Sequence, residues 1–171
     1  MVQRSGTKQI GASLMKKLAL LAFVAIVAPA AANALEVKVV KEVAAAPDAV
    51  WSAVGDFCGI ANWHPAIAKC DMSSKGADTF RSLTLKGGGV VYEKQLTFDK
   101  AGRVYSYTIE TSPLPVKDYM AQISVTPKGT GSVLSWTATF AAKDASDADA
   151  IKTIAGIFEL GAAALVAKTA K

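Results

Sequence analysis

The chain has 171 residues, and its 19 basic and 14 acidic side chains give a formal net charge of +5. Four of the basic residues and no acidic residue lie in residues 1–34, so 15 basic and 14 acidic residues remain in residues 35–171. This near-neutral balance argues against a nucleic-acid partner. The remaining length suits one domain with a sizeable core.

The first 34 residues have the pattern of a secretory signal peptide. Their basic residues are followed by an apolar run over residues 18–28 and by a small-residue ending, Ala-Asn-Ala, at residues 32–34. The run is too short to span a bilayer, and the ending suits cleavage before Leu35. We therefore predict a signal peptide over residues 1–34 and a periplasmic or secreted domain over residues 35–171, with no membrane span in the mature chain. An uncleaved amphipathic anchor is the alternative.

A strand and two short helices are predicted next. Residues 35–43 alternate apolar and charged side chains, which is the period of a half-buried strand. Pro47 and Asp48 are typical of a first helical turn. Gly55 and Asp56 break this helix, and a second helical turn ends at Pro65.

Residues 50–70 contain two of the three Trp, the only His and both Cys of the chain. We interpret Trp51 and Trp63 as packing anchors. His64 has an ordinary pKa that suits a general base, but no partner for it is identifiable. We therefore expect His64 to cap carbonyls at the helix end, outside any ligand cavity.

Cys58 and Cys70 are candidates for a disulfide, because export would place them in an oxidising compartment. Such a bridge would stabilise the fold by about 3 kcal/mol in the chain-entropy model. Free thiols are the main alternative. A metal site is a weaker one, since two Cys and one His lack a fourth protein ligand for zinc.

The second half of the chain predicts a sheet followed by one long helix. The helix begins at Ser146, which resembles a capping box with Asp149, and runs at helical spacing to Lys168. The result is an α+β domain in which a curved antiparallel sheet grips the helix. Segments rich in β-branched and aromatic residues, separated by Gly- and Pro-containing turns, predict an antiparallel meander of strands at residues 79–85, 90–98, 104–111, 119–126 and 133–140, preceded by a short strand at about 70–73.

One face of this predicted sheet combines apolar and polar side chains. Strict alternation places Phe98 on the other face. Burying unpartnered polar groups costs about 1–3 kcal/mol each, so a cavity with polar handles explains the mixture better than a solid core. The alternative is that the phenols point to the rim and that the carboxylate lies at a solvated edge. The polar groups of this face are Glu93, Gln95, Tyr105, Tyr107 and Tyr119.

Motifs at residues 51–57, 62–65, 93–99, 105–109, 112–119, 132–136 and 156–161 together resemble the SRPBCC superfamily. That superfamily has the START/Bet v 1-like helix-grip fold and includes polyketide cyclase/dehydrase-like proteins and plant hormone receptors. The resemblance covers essentially all of residues 35–171. Within it, Asp-Phe-Cys at residues 56–58 and Trp-His-Pro at residues 63–65 resemble the MxaD-type periplasmic proteins associated with methanol oxidation.

The resemblance implies an apolar cavity between sheet and long helix that binds a hydrophobic small molecule, such as a lipid, a polyketide or a quinone-like compound, without a cofactor or a metal. Its gates would be the loops at residues 87–89 and 113–115. These loops have three glycines and Pro-Leu-Pro instead of a charged latch, so hormone recognition is not expected. By family position, the ligand-binding residues would be Arg81, Glu93, Tyr107, Ile109, Tyr119, Trp136, Ile157 and Gly161.

Three functions remain open from the sequence. The first is a non-catalytic binding module, and the second is an accessory protein for a periplasmic dehydrogenase or its cytochrome c. The third is a cyclase or dehydratase, in which Arg81 and Glu93 would form a polar pair with Tyr107 or Tyr119 as proton donor. An ion pair that orients a ligand or holds the sheet is the simpler role for those two residues, so we assign no catalytic residue.

Overall fold

The computed structural model describes residues 34–170, so the predicted signal peptide lies outside the described residues apart from Ala34. A 3₁₀ turn at Gly59–Asn62 follows the first helix. The described residues form helices α1 (Pro47–Val54) and α2 (Asp147–Thr169) and strands β1 (Leu35–Val43), β2 (Ile67–Lys75), β3 (Asp78–Leu85), β4 (Val90–Asp99), β5 (Val104–Thr111), β6 (Val116–Lys128) and β7 (Gly131–Ala142).

The strands form one antiparallel sheet in the order β1-β7-β6-β5-β4-β3-β2. Strands β2 to β7 are the predicted meander, and β1 pairs with β7 at the far edge. The inner face of the sheet packs against α2, where the rings of Trp136 and Phe158 stack with centroids 4.3 Å apart. The predicted helix-grip fold is therefore confirmed. The strand predicted at about residues 70–73 is longer, because it pairs with the whole of β3.

Helix α2 begins with the predicted cap. The backbone N–H of Asp149 donates to Oγ of Ser146 at 3.1 Å, which satisfies one of the free donors of the first turn. By length and apolar composition α2 could cross a membrane. In the described domain, however, Ile154, Phe158 and Leu165 are almost completely buried. The apolar stripe of α2 thus supplies the core under the sheet.

Strand β4 departs from strict alternation. Gln95 pairs with Tyr107 on the inner face, and the register then shifts between Gln95 and Thr97. After this bulge Phe98 pairs with Tyr105 and stacks on its ring, with centroids 5.9 Å apart. The expectation that Phe98 faces away from this side is therefore wrong, because one extra residue resets the two-residue period.

A disulfide joins the segment after α1 to strand β2. Cys58 and Cys70 are bonded, and their Cα atoms lie 5.6 Å apart. Cys58 is the residue before the 3₁₀ turn. The bridge therefore ties that turn to the edge of the sheet next to β3.

Candidate functional site

A cavity of about 340 Å³ lies between the inner face of the sheet, α2 and the loops at one end of the domain. Its walls are mostly aliphatic and aromatic, with a few polar side chains among them. The lining residues are Ile60, His64, Ala66, Ile67, Leu83, Leu85, Gly87, Gly88, Val91, Glu93, Tyr107, Ile109, Leu114, Tyr119, Trp136, Ile154, Ile157 and Phe158.

Three neighbouring strands contribute polar groups to the sheet wall of this cavity. Glu93 comes from β4, Tyr107 from β5 and Tyr119 from β6. The rings of the two tyrosines have centroids 6.2 Å apart. Nε1 of Trp136 on β7 donates a hydrogen bond to the hydroxyl of Tyr107 at 3.0 Å. The wall therefore carries a carboxylate and two phenols side by side.

Arg81 lies directly opposite Glu93 on the neighbouring strand β3, on the same face of the sheet, and is completely buried. Its Nε donates to Oε2 of Glu93 at 2.5 Å, and its Nη1 donates to the backbone carbonyl of Phe57. Among the described residues, Nη2 of Arg81 is the one buried side-chain nitrogen or oxygen without a hydrogen-bond partner. The guanidinium carbon lies 4.0 Å from the ring centroid of Phe57 and 4.9 Å from that of Tyr107. Cation–π contact with these two rings partly stabilises the guanidinium charge, which the hydrogen bonds of Nε and Nη1 alone do not fully stabilise.

Burial sets the protonation of these groups. It raises the pKa of Glu93, and the nearby Arg81 charge opposes that rise. Burial alone would lower the pKa of Arg81, but Glu93 and the neighbouring phenols outweigh it, so that pKa lies above its ordinary value. Since Arg81 keeps its proton, the Glu93 carboxylate is the counterion that its buried charge requires. Burial also raises the pKa of Tyr107 and Tyr119, which leaves both phenols neutral at physiological pH.

His64 lines the cavity, so the expectation that it lies outside is wrong. Its Nε2 lies 3.1 Å from the carbonyl oxygen of Ile157, and its Nδ1 accepts from the backbone N–H of Ala66 at 3.2 Å. These partners require the neutral tautomer with the proton on Nε2. Burial lowers the pKa of His64, against the raising effect of the Ile157 carbonyl, and the Arg81 charge lowers it further. No local motif marks this role, because Ile157 lies 93 residues away in the chain.

Six of the eight residues expected to bind a ligand line the cavity, namely Glu93, Tyr107, Ile109, Tyr119, Trp136 and Ile157. Arg81 and Gly161 are not among the lining residues. Arg81 supports Glu93 from the neighbouring strand, through the hydrogen bond described above. A Cβ atom placed on Gly161 would lie 2.4 Å from Cδ2 of His64 and 2.8 Å from Cζ3 of Trp136. Gly161 therefore makes room for the side chains that form the wall.

The two expected gate loops meet at one side of the cavity. Gly87, Gly88 and Leu114 line it. Gly89 has a φ of +88°, and a Cβ atom placed on it would lie 3.1 Å from Cγ of Pro113. The close approach and the positive φ explain why glycine suits this position.

The family described as polyketide cyclase / dehydrase and lipid transport matches residues 34–170. The chain belongs to this family. No curated protein matches the sequence.

Solved structures of similar shape agree with membership of the polyketide cyclase / dehydrase and lipid transport family. The protein XoxI from Bacillus cereus is 28% identical, with a TM-score of 0.75 over 80% of this chain and 96% of that protein. The Zhui aromatase/cyclase from Streptomyces sp. R1128 is 20% identical, with a TM-score of 0.65 over 81% of this chain and 94% of that enzyme. Norcoclaurine synthase from Thalictrum flavum is 22% identical, with a TM-score of 0.61 over 80% of this chain and 94% of that enzyme. At their identities, the two enzymes establish the shared fold alone.

Proposed function

We propose that this protein binds a hydrophobic small molecule in the cavity between its sheet and α2. The observation that carries the proposal is the cavity itself, with a volume of about 340 Å³ and walls that are apolar except for a few converging polar groups. Small-molecule sites have this character and begin at about this size. Membership of a family described by cyclase, dehydrase and lipid-transport activities supports the same function.

The test asks whether the cavity holds a molecule. We expect native mass spectrometry of the full protein, followed by denaturation and extraction, to show a stoichiometric apolar compound. Ile109→Trp introduces a large ring at a lining position and should abolish this occupancy. Met120→Trp is the matched control, because Met120 is 53% exposed on the adjacent strand and does not line the cavity. Empty wild-type protein that also binds no apolar probe would contradict the proposal.

We further propose that the protein is exported before it binds its ligand. The signal-peptide pattern of residues 1–34 supports this proposal, as does the disulfide between Cys58 and Cys70, since disulfides persist in oxidising compartments. Fractionation of cells that produce the full chain should place a shortened protein, beginning at Leu35, in the periplasm or the medium. A full-length protein in the cytoplasm would contradict export.

A second candidate is an accessory role for a periplasmic quinoprotein methanol dehydrogenase and its cytochrome c. It is supported by the resemblance of residues 56–58 and 63–65 to MxaD-type proteins. Its test is the rate of electron transfer from the purified dehydrogenase to its cytochrome, measured with and without this protein. A rate that does not change would contradict it.

A third candidate is a cyclase or dehydratase, which is favoured by the Glu93 carboxylate beside two neutral phenols. Proton transfer by such a set could assist an aldol-type cyclisation or a dehydration. The Zhui protein with the similar fold is an aromatase/cyclase. Glu93→Gln should abolish turnover of a true substrate while ligand binding persists. Unchanged turnover would exclude Glu93 as the acid or base.

A further inference from the structure

We infer, on the basis of the proposed binding function, that the cavity selects apolar molecules whose polar end is a hydroxyl group, such as a phenol or an alcohol, over carboxylic acids and ketones or quinones. Some hydrogen-bond donors and acceptors of Glu93 and Tyr107 already have partners in the protein. The ones that remain at the cavity wall determine which polar group of a ligand can bind there.

Glu93 offers an acceptor to the cavity. Its Oε2 accepts a hydrogen bond from Nε of Arg81. Nη1 of Arg81 donates to the carbonyl of Phe57 and not to Glu93. The bond is therefore not the bidentate arrangement that would occupy both carboxylate oxygens. Glu93 lines the cavity, so its second oxygen, Oε1, is left for a donor that arrives there.

Tyr107 offers a donor beside it. The indole N–H of Trp136 can only donate, so the hydroxyl oxygen of Tyr107 is the acceptor in their bond. That bond uses a lone pair of the oxygen, so Tyr107 keeps its O–H as a hydrogen-bond donor at the cavity wall. Tyr119 provides a second phenol next to it, at the ring separation given above.

A hydroxyl group is the simplest ligand group that can bond to both residues, because it can donate one hydrogen bond to Glu93 and accept another from Tyr107. A carboxylate cannot donate to Glu93 and would bring a second negative charge beside it. Among the described residues that line the cavity, none is a Lys or Arg that could neutralise such a charge. The charge of Arg81 is already balanced by Glu93.

A ketone or quinone can form a hydrogen bond with Tyr107 but not with Glu93. Its oxygen can accept from Tyr107, but it offers no proton to Glu93. A buried acceptor that loses water without gaining a partner costs free energy comparable to a lost hydrogen bond. The reduced, hydroxyl-bearing form of such a compound should therefore bind more tightly than the oxidised form.

The rest of the cavity suits a compact ring system. Trp136 and Phe158 stack at an interplanar angle of 11° and both line the cavity, so their rings form part of an aromatic wall. A volume of about 340 Å³ is at the small end of ligand sites, which favours one or two fused rings. Two-ring probes that differ in one polar group therefore test the inference directly.

The experiment is calorimetric titration of the full protein at pH 7.5 with naphthalene, 2-naphthol, 2-naphthoic acid and 1,4-naphthoquinone. We expect 2-naphthol to bind at least about tenfold more tightly than each of the other three, which is the effect of one good hydrogen bond to a charged group. Equal binding of naphthalene and 2-naphthol would overturn the hydroxyl inference and leave the proposed apolar binding intact. Tighter binding of 2-naphthoic acid or the quinone would overturn the inference in the same way. Failure of all four probes to bind protein that native mass spectrometry shows to be empty would overturn both proposals.

Variants of Glu93 and Tyr107 test whether these two residues cause the preference for 2-naphthol. In Glu93→Gln the amide oxygen should turn to Arg81, so the amide NH₂ faces the cavity as a donor. This variant should lose the preference for 2-naphthol and bind the quinone at least as well. Tyr107→Phe should reduce the preference as well, whereas Tyr92→Phe, which removes a phenol that does not line the cavity, should leave it unchanged. If Glu93→Gln does not fold, the Tyr107 and Tyr92 variants still decide the matter, and equal preferences in these two would overturn the role of Tyr107.

Discussion

Nε2 of His64 donates a hydrogen bond to the backbone carbonyl of Ile157, 3.1 Å away, and thereby fastens the segment before β2 to the middle of α2. Both residues line the cavity. The bond therefore holds together two of its walls that are 93 residues apart in the chain.

This bond predicts a pH-dependent stability. The pKa of folded His64 is lowered from 6.5, so well above pH 6.5 the imidazole is neutral in both the folded and the unfolded chain. As the pH falls below 6.5, the unfolded chain takes up the proton first, and the free energy of unfolding decreases until the pH has passed the lowered pKa. We expect the urea midpoint to fall between pH 7.5 and pH 5, and to fall less steeply in His64→Gln. Parallel declines in the two proteins would contradict the assignment. The charge of Arg81 contributes to the lowered pKa of His64, and Glu93 lines the same cavity.

Gly161→Ala should destabilise the protein. The added Cβ atom would lie 2.4 Å from His64 and 2.8 Å from Trp136, so these packed rings must move. Overpacking of this kind costs about 1–3 kcal/mol. Gly156→Ala is the matched control in the same helix, because its Cβ would meet nothing within 4 Å and Ala favours helix over Gly by up to about 1 kcal/mol. Chemical denaturation should therefore move the two midpoints in opposite directions.

The double variant Cys58→Ser/Cys70→Ser should lose about 3 kcal/mol of stability, the chain-entropy value for a short closed loop. Guanidinium denaturation measures the loss. A reducing agent should lower the midpoint of the wild-type protein toward that of the variant and leave the variant unchanged. A wild-type protein insensitive to full reduction would mean that the bridge contributes no stability.

Arg81→Met should cost about 3–5 kcal/mol, because it leaves the Glu93 carboxylate buried without its counterion. The loss should be smaller at low pH, where that carboxylate can be protonated. The double variant Arg81→Met/Glu93→Gln should be more stable than the sum of the single losses predicts. Lys94→Met is the control on the same strand as Glu93. Its pair with Asp78 is partly exposed, with side-chain exposures of 29% and 51%, so the loss should stay within about 1 kcal/mol.

Much of the fold could be predicted from sequence because the patterns that indicate its strands and helices involve residues close together in the chain. The strand alternation of residues 35–43, the cap at Ser146 and the helical spacing after it each depend on neighbouring residues, and each is present in the structure. The inner-face assignment of Glu93 and Tyr107 followed from the same two-residue period. It failed at Phe98, where a bulge that no local motif marks adds one residue to the count.

The site was less predictable because its contacts are distant in sequence. Position in the family suggested that Arg81 faces a ligand, yet its hydrogen bonds go to Glu93 and Phe57 and it does not line the cavity. No local feature of the sequence places His64 in the cavity, because its hydrogen-bond partner Ile157 belongs to the last helix. In both cases the residue type indicated a polar role, but the direction of the side chain depends on a hydrogen-bond partner that is distant in sequence.

The contact between Gly89 and Pro113 bears on how quickly a bound molecule can be exchanged. Both residues belong to short connections between strands, so separating them breaks no helix and no pairing within the sheet. Loop motions of this type take nanoseconds to microseconds, far less time than unfolding of a domain. Exchange of a molecule in the cavity would therefore need only a movement of these two loops, with the bridge between Cys58 and Cys70 and the sheet left intact.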